Sequence, residues 1–382
     1  MKKYTLKQEV PLVNIYLIIQ FFLYLMFAIT GSGYYRIGSL ITGTIGMILY
    51  MLCNDSYRIN KIMKLAIIIA VSMLIVVIIR DPYNVLNVLY EILVYLSTAC
   101  ILTCKSVNRK VGLAIFYGVA ICIVYEFLRI GSMRFLNGMS ENSISIILII
   151  SILPYLSTFR DEKETPSVLP MLFCLILCIL SVGRGGIIMG ALLVLCFSLK
   201  IIFDNKHASG LNILICMIAI IAIAGTLFLG NFLTPYLYKF ASISEILTDS
   251  SRKMIWSEYL GQSLKNIRYL LFGFPSSQSL MIYSYKNNMH NSFINTHVLM
   301  GIIGVIIVIG GLFRSVKYLF KTRKWNILIF LFVFVVRSFT DWVFPLQMGS
   351  VALYYLILLP IIEASHYSMI DLADETYEKG GH

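Results

Sequence analysis

Apolar runs of about 20 residues, the length that carries an α-helix across the hydrocarbon of a bilayer, recur along almost the whole of this chain. Inside a bilayer each backbone N–H and C=O must find its partner within the protein, which leaves helices and closed barrels as the spanning structures. Of the 382 residues 59% are apolar and 13% charged, against about a quarter charged in a soluble domain. The chain therefore reads as an all-α polytopic membrane protein. Run length predicts about twelve transmembrane helices, near 12–30, 37–53, 65–79, 85–104, 111–129, 142–159, 168–182, 186–203, 211–229, 292–313, 325–344 and 346–363. The third run is short, which would bring Arg80 and Asp81 close under the headgroups. The opening MKKYTLKQEVPLVNIYLIIQ has the charge pattern of a signal peptide. It lacks a small-residue cleavage site and is long enough to span, so it is read as the first helix. No internal repeat is evident, which counts against a transporter built from repeated halves. The eight cysteines fall in or at the ends of apolar runs, with no Cys-x-x-Cys pair, and are read as small apolar residues.

The net charge of +12 finds its explanation in topology, not in nucleic acid. Lys2, Lys3 and Lys7, Arg58, Lys61 and Lys64, Lys105, Arg109 and Lys110, Arg160 and Lys163, Lys200 and Lys206, and the group from Arg314 to Lys324 all fall on one side of the predicted topology. The other side carries Arg36, Arg80, Arg129, Arg134, Arg184 and Arg337. The rich side is expected to be cytoplasmic, with both termini inside. Residues 1–363 then form a single transmembrane domain. A large extracytoplasmic loop, 230–291, separates the ninth and tenth spans, and residues 364–382 form a polar cytoplasmic tail.

The longest polar interruption runs from Arg252 to Gly304. Ile255, Tyr259, Leu260, Leu264, Ile267, Leu270 and Leu271 give 251–271 the spacing of an amphipathic helix lying on the outer surface. Asp249 or Ser250 would cap it and Gly273 would end it. Trp256 would stack on a sugar face or anchor the helix at the interface. His290 is either a site residue or a polar residue at the mouth of the tenth span, where Asn291 or Ser292 would be the N-cap. His297, about two turns deeper, is read as a hydrogen-bonding residue between helices.

Arginines on the poor side are informative because an intramembrane charge needs a partner. Arg184 lies in SVGRGG, residues 181–186, in the tight turn between two spans. Gly185 and Gly186 would let backbone N–H groups approach an anion while the guanidinium supplies a fork of donors, a cradle for phosphate. A glycine turn with an arginine reaching to the headgroups has the same sequence. Arg337 and Asp341 stand four apart and can pair on one helix face. That pair suits a structural ion bridge and a site role alike.

These features resemble the O-antigen polymerase and O-antigen ligase superfamily. The shared pattern is a glycine-flanked arginine opening a mid-chain span, here SVGRGG. Next comes an Arg-x-x-x-Trp helix with an apolar-Gly-apolar turn, here Arg252, Trp256 and Leu271 to Phe274. Last is His290-Asn291-Ser292 ahead of Gly301-Ile302-Ile303-Gly304. The likeness covers 170–310, and Gly183 stands where the family pattern has serine before the arginine. It implies a GT-C-like membrane glycosyltransferase in the bacterial cytoplasmic (inner) membrane. The polymerase moves a glycan from undecaprenyl pyrophosphate to the terminal sugar of another lipid-linked repeat unit, and the ligase moves it to the lipid A core. A flippase and a chain-length regulator would be partners.

The residues can be matched to that chemistry. A diphosphate leaving group calls for cations: Arg184 and Arg252 first, Arg268 and Arg337 next. The acceptor hydroxyl calls for a base, His290, with Asn291 and Ser292 orienting it or a sugar. Tyr283 and Tyr285 would stack on sugars. The outer loops hold no paired carboxylates, so the reaction is expected to need no metal or other cofactor. A transporter of lipid-linked sugars and a non-catalytic assembly factor are the readings from other classes.

Overall fold

The structure is a computed structural model that describes residues 10–54, 56–79, 85–131, 135–137, 142–160, 164–181, 183–204, 210–225, 250–273 and 288–363. Among the described residues all regular secondary structure is helical. In chain order the helices are α1 (Val10–Thr30), α2 (Gly33–Cys53), α3 (Ser56–Ile79), α4 (Val85–Tyr90, Glu91–Leu96 and Ser97–Leu102, the middle piece a wide π-helical turn), and α5 (Arg109–Ile130). Then follow α6 (Ser143–Leu156), α7 (Leu169–Leu180), α8 (Arg184–Asp204), α9 (Gly210–Ala224), α10 (Ser250–Lys265), α11 (Ile267–Phe272), α12 (Ser292–Lys321), α13 (Trp325–Thr340) and α14 (Ser350–Glu363). Six of them, α1, α2, α3, α5, α8 and α12, are long and apolar enough to cross a membrane. Six shorter apolar helices accompany them. This is the pattern of an α-helical polytopic membrane protein.

The burial pattern agrees with that class. α6 and α14 are buried on nearly all sides and form the centre, with the last turns of α4 beside them. Around the outside, Phe22, Ile41, Ile67, Ile121, Ile221 and Phe313 face outward. Apolar surface on that scale does not persist in water. Helices run apolar on every side here because one face meets protein and the other meets lipid.

Two ends of the bundle can be told apart by their tertiary bonds. At one end Asn137 bonds the carbonyl of Thr30 at 2.8 Å, and Arg268 bonds the carbonyl of Ile79. Ser292 bonds the carbonyl of Asp341 there at 2.8 Å. At the other end Asn14 bonds Ser106 and Arg160 bonds the carbonyls of Thr103 and Cys104. There too Arg109 meets Glu164 and Lys324 meets Glu363.

Two expectations are corrected. The third helix is not short, because α3 begins at Ser56 and carries Arg58, Lys61 and Lys64 in its first turns. A helix continues past the apolar run when its polar residues can reach the headgroup layer. The expected helix over 251–271 is two helices. Asn266 accepts a bond from the N–H of Arg268 at 2.9 Å and starts α11 as a new N-cap. Gly273 ends α11 with φ of 78°, in the left-handed region that only glycine enters freely. Ser250 lies inside α10, not ahead of it. Asp249, Arg80, Arg134, Tyr283, Tyr285, most of the loop 230–291 and the tail 364–382 lie outside the described residues.

Candidate functional site

The site is built at the end of the bundle where α8 and α12 begin and α13 ends. Gly183 and Arg184 open α8, and the N–H of Ile187 bonds the carbonyl of Gly183 at 2.9 Å. Arg184 is half-buried. The first turn of α8 sits tightly against its neighbours. A Cβ on Gly185 would come 3.0 Å from the Thr340 hydroxyl and 3.2 Å from an Arg337 nitrogen. One on Gly186 would come 2.7 Å from the Cβ of Ser145. Here the glycines let α8 approach α6 and α13. The chain's N–H groups at this helix start present the positive end of the α8 dipole beside Arg184.

Arg337 is the centre of the packing. It is 1% exposed, and every nitrogen has work to do. Nε donates to Ser145 Oγ at 3.1 Å, Nη1 to Thr340 Oγ1 at 3.0 Å, and Nη2 to the Asn142 carbonyl at 3.0 Å and Asp341 Oδ2 at 2.9 Å. The ion-pair reading of Arg337 and Asp341 is the one the geometry supports. Arg337 has no remaining face for a substrate phosphate, so its expected role in binding is replaced by one in positioning. Planar, five-donor arginine can do this where lysine cannot.

Asp341 faces two ways. Oδ2 takes the Arg337 bond, and Oδ1 lies 3.8 Å from His290 Nδ1. Oδ1 also accepts the N–H of Trp342 at 2.8 Å. Burial pushes this carboxyl up, but the Arg337 charge, His290 and the Trp342 N–H outweigh it and hold Asp341 well below the usual carboxylate range. The result is an ionised carboxylate 3.8 Å from the imidazole of a partly exposed histidine, at ion-pair and not hydrogen-bond distance.

His290 is set in place by the start of α12. Asn291 is the N-cap, its Oδ1 accepting the N–H groups of Phe293 at 2.9 Å and Ile294 at 3.2 Å. Ser292 is fully buried. It donates to the Asp341 carbonyl and accepts the N–H of Val343, both at 2.8 Å. His290 has φ of 49°, and its N–H bonds Asn288 Oδ1 at 2.8 Å. Asn291 and Ser292 thus hold the backbone around His290. The expectation that they orient a sugar gives way to this, since their polar atoms already bond protein.

The polar segment packs as one block against α12. Trp256 Nε1 donates to the Met289 carbonyl at 2.7 Å, which ties α10 to the turn before His290. Tyr259 bonds His297 Nδ1, and His297 Nε2 meets the Leu270 carbonyl, so His297 joins helices as expected. A Cβ on Gly273 would meet the His297 carbonyl at 2.5 Å. One on Gly301, where φ is 64° and α12 kinks, would meet the Leu271 carbonyl at 2.5 Å. The apolar-Gly-apolar and Gly-x-x-Gly motifs are thereby two halves of one contact. Arg268 reaches the carbonyl of Ile79 at the end of α3. Arg252 falls in the first turn of α10, and its side chain lies outside the described residues.

Four residues were missed or read only in part from the sequence. Asn142 and Ser145 hold Arg337 from the start of α6, and no pattern in a run of small and apolar residues marks them. Asp341 was read only as the partner of Arg337. Glu91 is fully buried in α4, and a lone carboxyl inside an apolar run was the available signal.

Among the described residues no group of three His, Cys, Asp or Glu side chains is placed to hold a metal ion. Compared with protein-family models, curated proteins and solved structures, the chain matches none.

Proposed function

We propose that this chain is a bacterial surface-polysaccharide polymerase, a membrane glycosyltransferase acting on undecaprenyl pyrophosphate-linked repeat units. The observation that carries the reading is convergence. The SVGRGG turn and the His290-Asn291-Ser292 start of α12 lie far apart in sequence, yet both pack on the end of α13, against Arg337 and the Asp341 that follows the helix. The site is assigned to the outer face of the cytoplasmic membrane, with both termini inside, on the placement of Lys and Arg. Twelve crossings in a GT-C-like arrangement are the topology that goes with it, each shorter apolar helix also spanning.

In this reading the acceptor hydroxyl meets His290, whose ring Asp341 orients while Arg337 keeps Asp341 ionised. His290 takes the proton as the hydroxyl oxygen forms its bond to the anomeric carbon. The bond from that carbon to the diphosphate oxygen breaks, and the leaving diphosphate is met by Arg184 and the start of α8, with Arg252 as a second cation. Metal independence is part of the proposal, and loss of activity in EDTA restored by Mg2+ or Mn2+ would contradict it.

A deletion strain complemented with variants tests the reading. A polymerase deletion loses the ladder of long glycan chains and keeps single repeat units on the surface anchor. Loss of all attached glycan, with long polymer kept on the carrier lipid, indicates a ligase instead. Repeat units accumulating on the inner leaflet indicate a flippase. His290→Ala and Arg184→Ala should reproduce the polymerase phenotype while the protein is still inserted. Arg184→Lys keeps the charge and loses the fork. Normal ladders from His290→Ala and Arg184→Ala would overturn the site.

A further inference from the structure

The carboxylate that faces His290 does not sit on a helix. Between α13 and α14 the chain runs from Asp341 to Gly349 as a non-helical strap. A backbone stretch of this kind inside a bundle needs partners for its own N–H and C=O groups. Ser292 supplies them at the Asp341 end, bonding the Asp341 carbonyl and the Val343 N–H. The strap also closes on itself. Trp342 Nε1 donates to the Pro345 carbonyl at 2.7 Å, and a Cβ on Gly349 would stand 2.3 Å from the Val343 carbonyl. What fixes the far half lies elsewhere in the sequence.

Glu91 is fully buried in the π-helical turn of α4. Its two oxygens are divided between the strap and the helix that follows it. Oε2 accepts the N–H of Leu346 at 2.9 Å, and Oε1 accepts the hydroxyl of Tyr354 in α14 at 2.7 Å. Leu346 holds φ of 62°, a conformation that a branched residue keeps only where the surroundings impose it. Among the described residues no Lys, Arg or His pairs with Glu91. A buried carboxyl group is retained in a bundle at high cost, and a wide turn within an α-helix commonly marks a working position. Both features point at the same two acceptor bonds.

We propose that Glu91 is a positioning residue for the transfer site. It pins Leu346 to Tyr354, and through the closed strap it fixes Asp341 against His290. The proposal rests on the polymerase reading for its effect on catalysis, whereas the anchoring itself does not. A carboxyl group suits the task because each of its oxygens can accept a hydrogen bond, one from the Leu346 N–H and one from the Tyr354 hydroxyl. Glutamine keeps one acceptor for Leu346, and the Tyr354 hydroxyl can turn to accept from the amide.

The test uses the full chain in two assays. In a Trp256→Phe, Trp325→Phe background, Trp342 is the only remaining indole of the chain's three. Its emission and its quenching by acrylamide then report the strap. Transfer between lipid-linked repeat units is measured separately, with all three tryptophans present. Glu91→Leu removes both acceptors. Trp342 emission should shift to the red and quench more readily. The kcat should fall by about 100-fold, the scale of a misplaced catalytic group, with KM little changed. Tyr354→Phe removes one donor and should give the same changes in smaller degree, which keeps the test open if Glu91→Leu fails to insert. Glu91→Gln should restore most of both signals.

An unmoved Trp342 in inserted Glu91→Leu or Tyr354→Phe would overturn the proposal. So would a shifted Trp342 with kcat unchanged, or a rise in KM alone. If the unaltered protein transfers no glycan while Glu91→Leu still moves Trp342, the anchor stands and the polymerase reading fails.

Discussion

The two ends of this bundle bury their charges to different depths. At the end away from the site, Arg109 pairs with Glu164 at 2.8 Å while both side chains are well exposed, at 46% and 37%. Lys324 pairs with Glu363 more deeply, at 15% and 16% exposure, and Arg160 caps the carbonyls of Thr103 and Cys104 just past α4. At the site end one arginine is withdrawn from solvent altogether, and its carboxylate partner carries a histidine on its other side. Exposed pairs gain little because water and salt screen them. A buried pair costs much to desolvate and must be fully bonded. The difference is one of burial: at the site end protein groups, not solvent, hold the arginine and its carboxylate in place.

The largest effect should follow from breaking the buried pair. Arg337→Met leaves Asp341 buried without a cation and strips Ser145, Thr340 and the Asn142 carbonyl of a donor. A loss of about 3–5 kcal/mol is expected, read as a fall in the midpoint of denaturation in detergent. Replacing both partners, Arg337→Met with Asp341→Leu, should recover much of that stability. It should not recover transfer, since His290 then has no carboxylate. A double variant that restores glycan ladders would show the pair to be packing alone.

The pH dependence of the same pair comes next. Asp341 has a folded pKa held below its unfolded value, so the pair contributes fully above pH ~4, near the ordinary aspartate pKa. The contribution is lost as pH falls through the folded value. Midpoints measured downward from pH 7 should therefore show no change from this pair until below pH ~4. Asp341→Asn should remove that acid limb and lower the plateau. A stability difference between the parent and Asp341→Asn that already shrinks near pH 6 would mean that Asp341 is not held ionised by Arg337.

Much of this arrangement was legible in the sequence, for physical reasons that can be named. Run length and turn residues locate helices because the bilayer leaves no other way to bond the backbone. Asn291 as a cap and Gly273 as a stop follow from local chemistry. Arg184 and His290 stand out because polar residues are rare in such a chain. What was hidden is tertiary. Arg337 and Asp341 satisfy a helix rule by themselves, so nothing in the spacing asks Asp341 to face His290 as well. Glu91 meets Leu346 and Tyr354 across most of the chain length, and no periodicity reports that. Arg268 bonds the end of α3, a contact that its place in the sequence does not report.

The glycine contacts in the polar block sharpen the comparison at an intermediate scale. Gly273→Ala puts a Cβ against the His297 carbonyl at a φ of 78°, and Gly301→Ala does the same against the Leu271 carbonyl. Each should destabilise by more than ~1 kcal/mol, because alanine resists a positive φ and the neighbouring backbone has to move. Both should also lower transfer, since α10 is tied through Trp256 to the residue before His290. Stability loss with transfer intact would separate this block from the site.

The smallest effect belongs to the far end. Arg109→Ala removes an exposed ion pair and a guanidinium lying 4.1 Å over the Phe159 ring. The pair is worth less than ~1 kcal/mol when solvent reaches both members, and the ring contact about 0.5–1 kcal/mol at an exposed position. Midpoint shifts should therefore be small, should shrink further in high salt, and should leave transfer unchanged. Glu164→Gln isolates the charge: it keeps the side-chain length and the Phe159 contact, so its effect should be the smaller of the two. If Arg109→Ala matched Arg337→Met in stability or abolished the ladder, the difference between the two ends would not be one of screening, and the site would have to be sought at both.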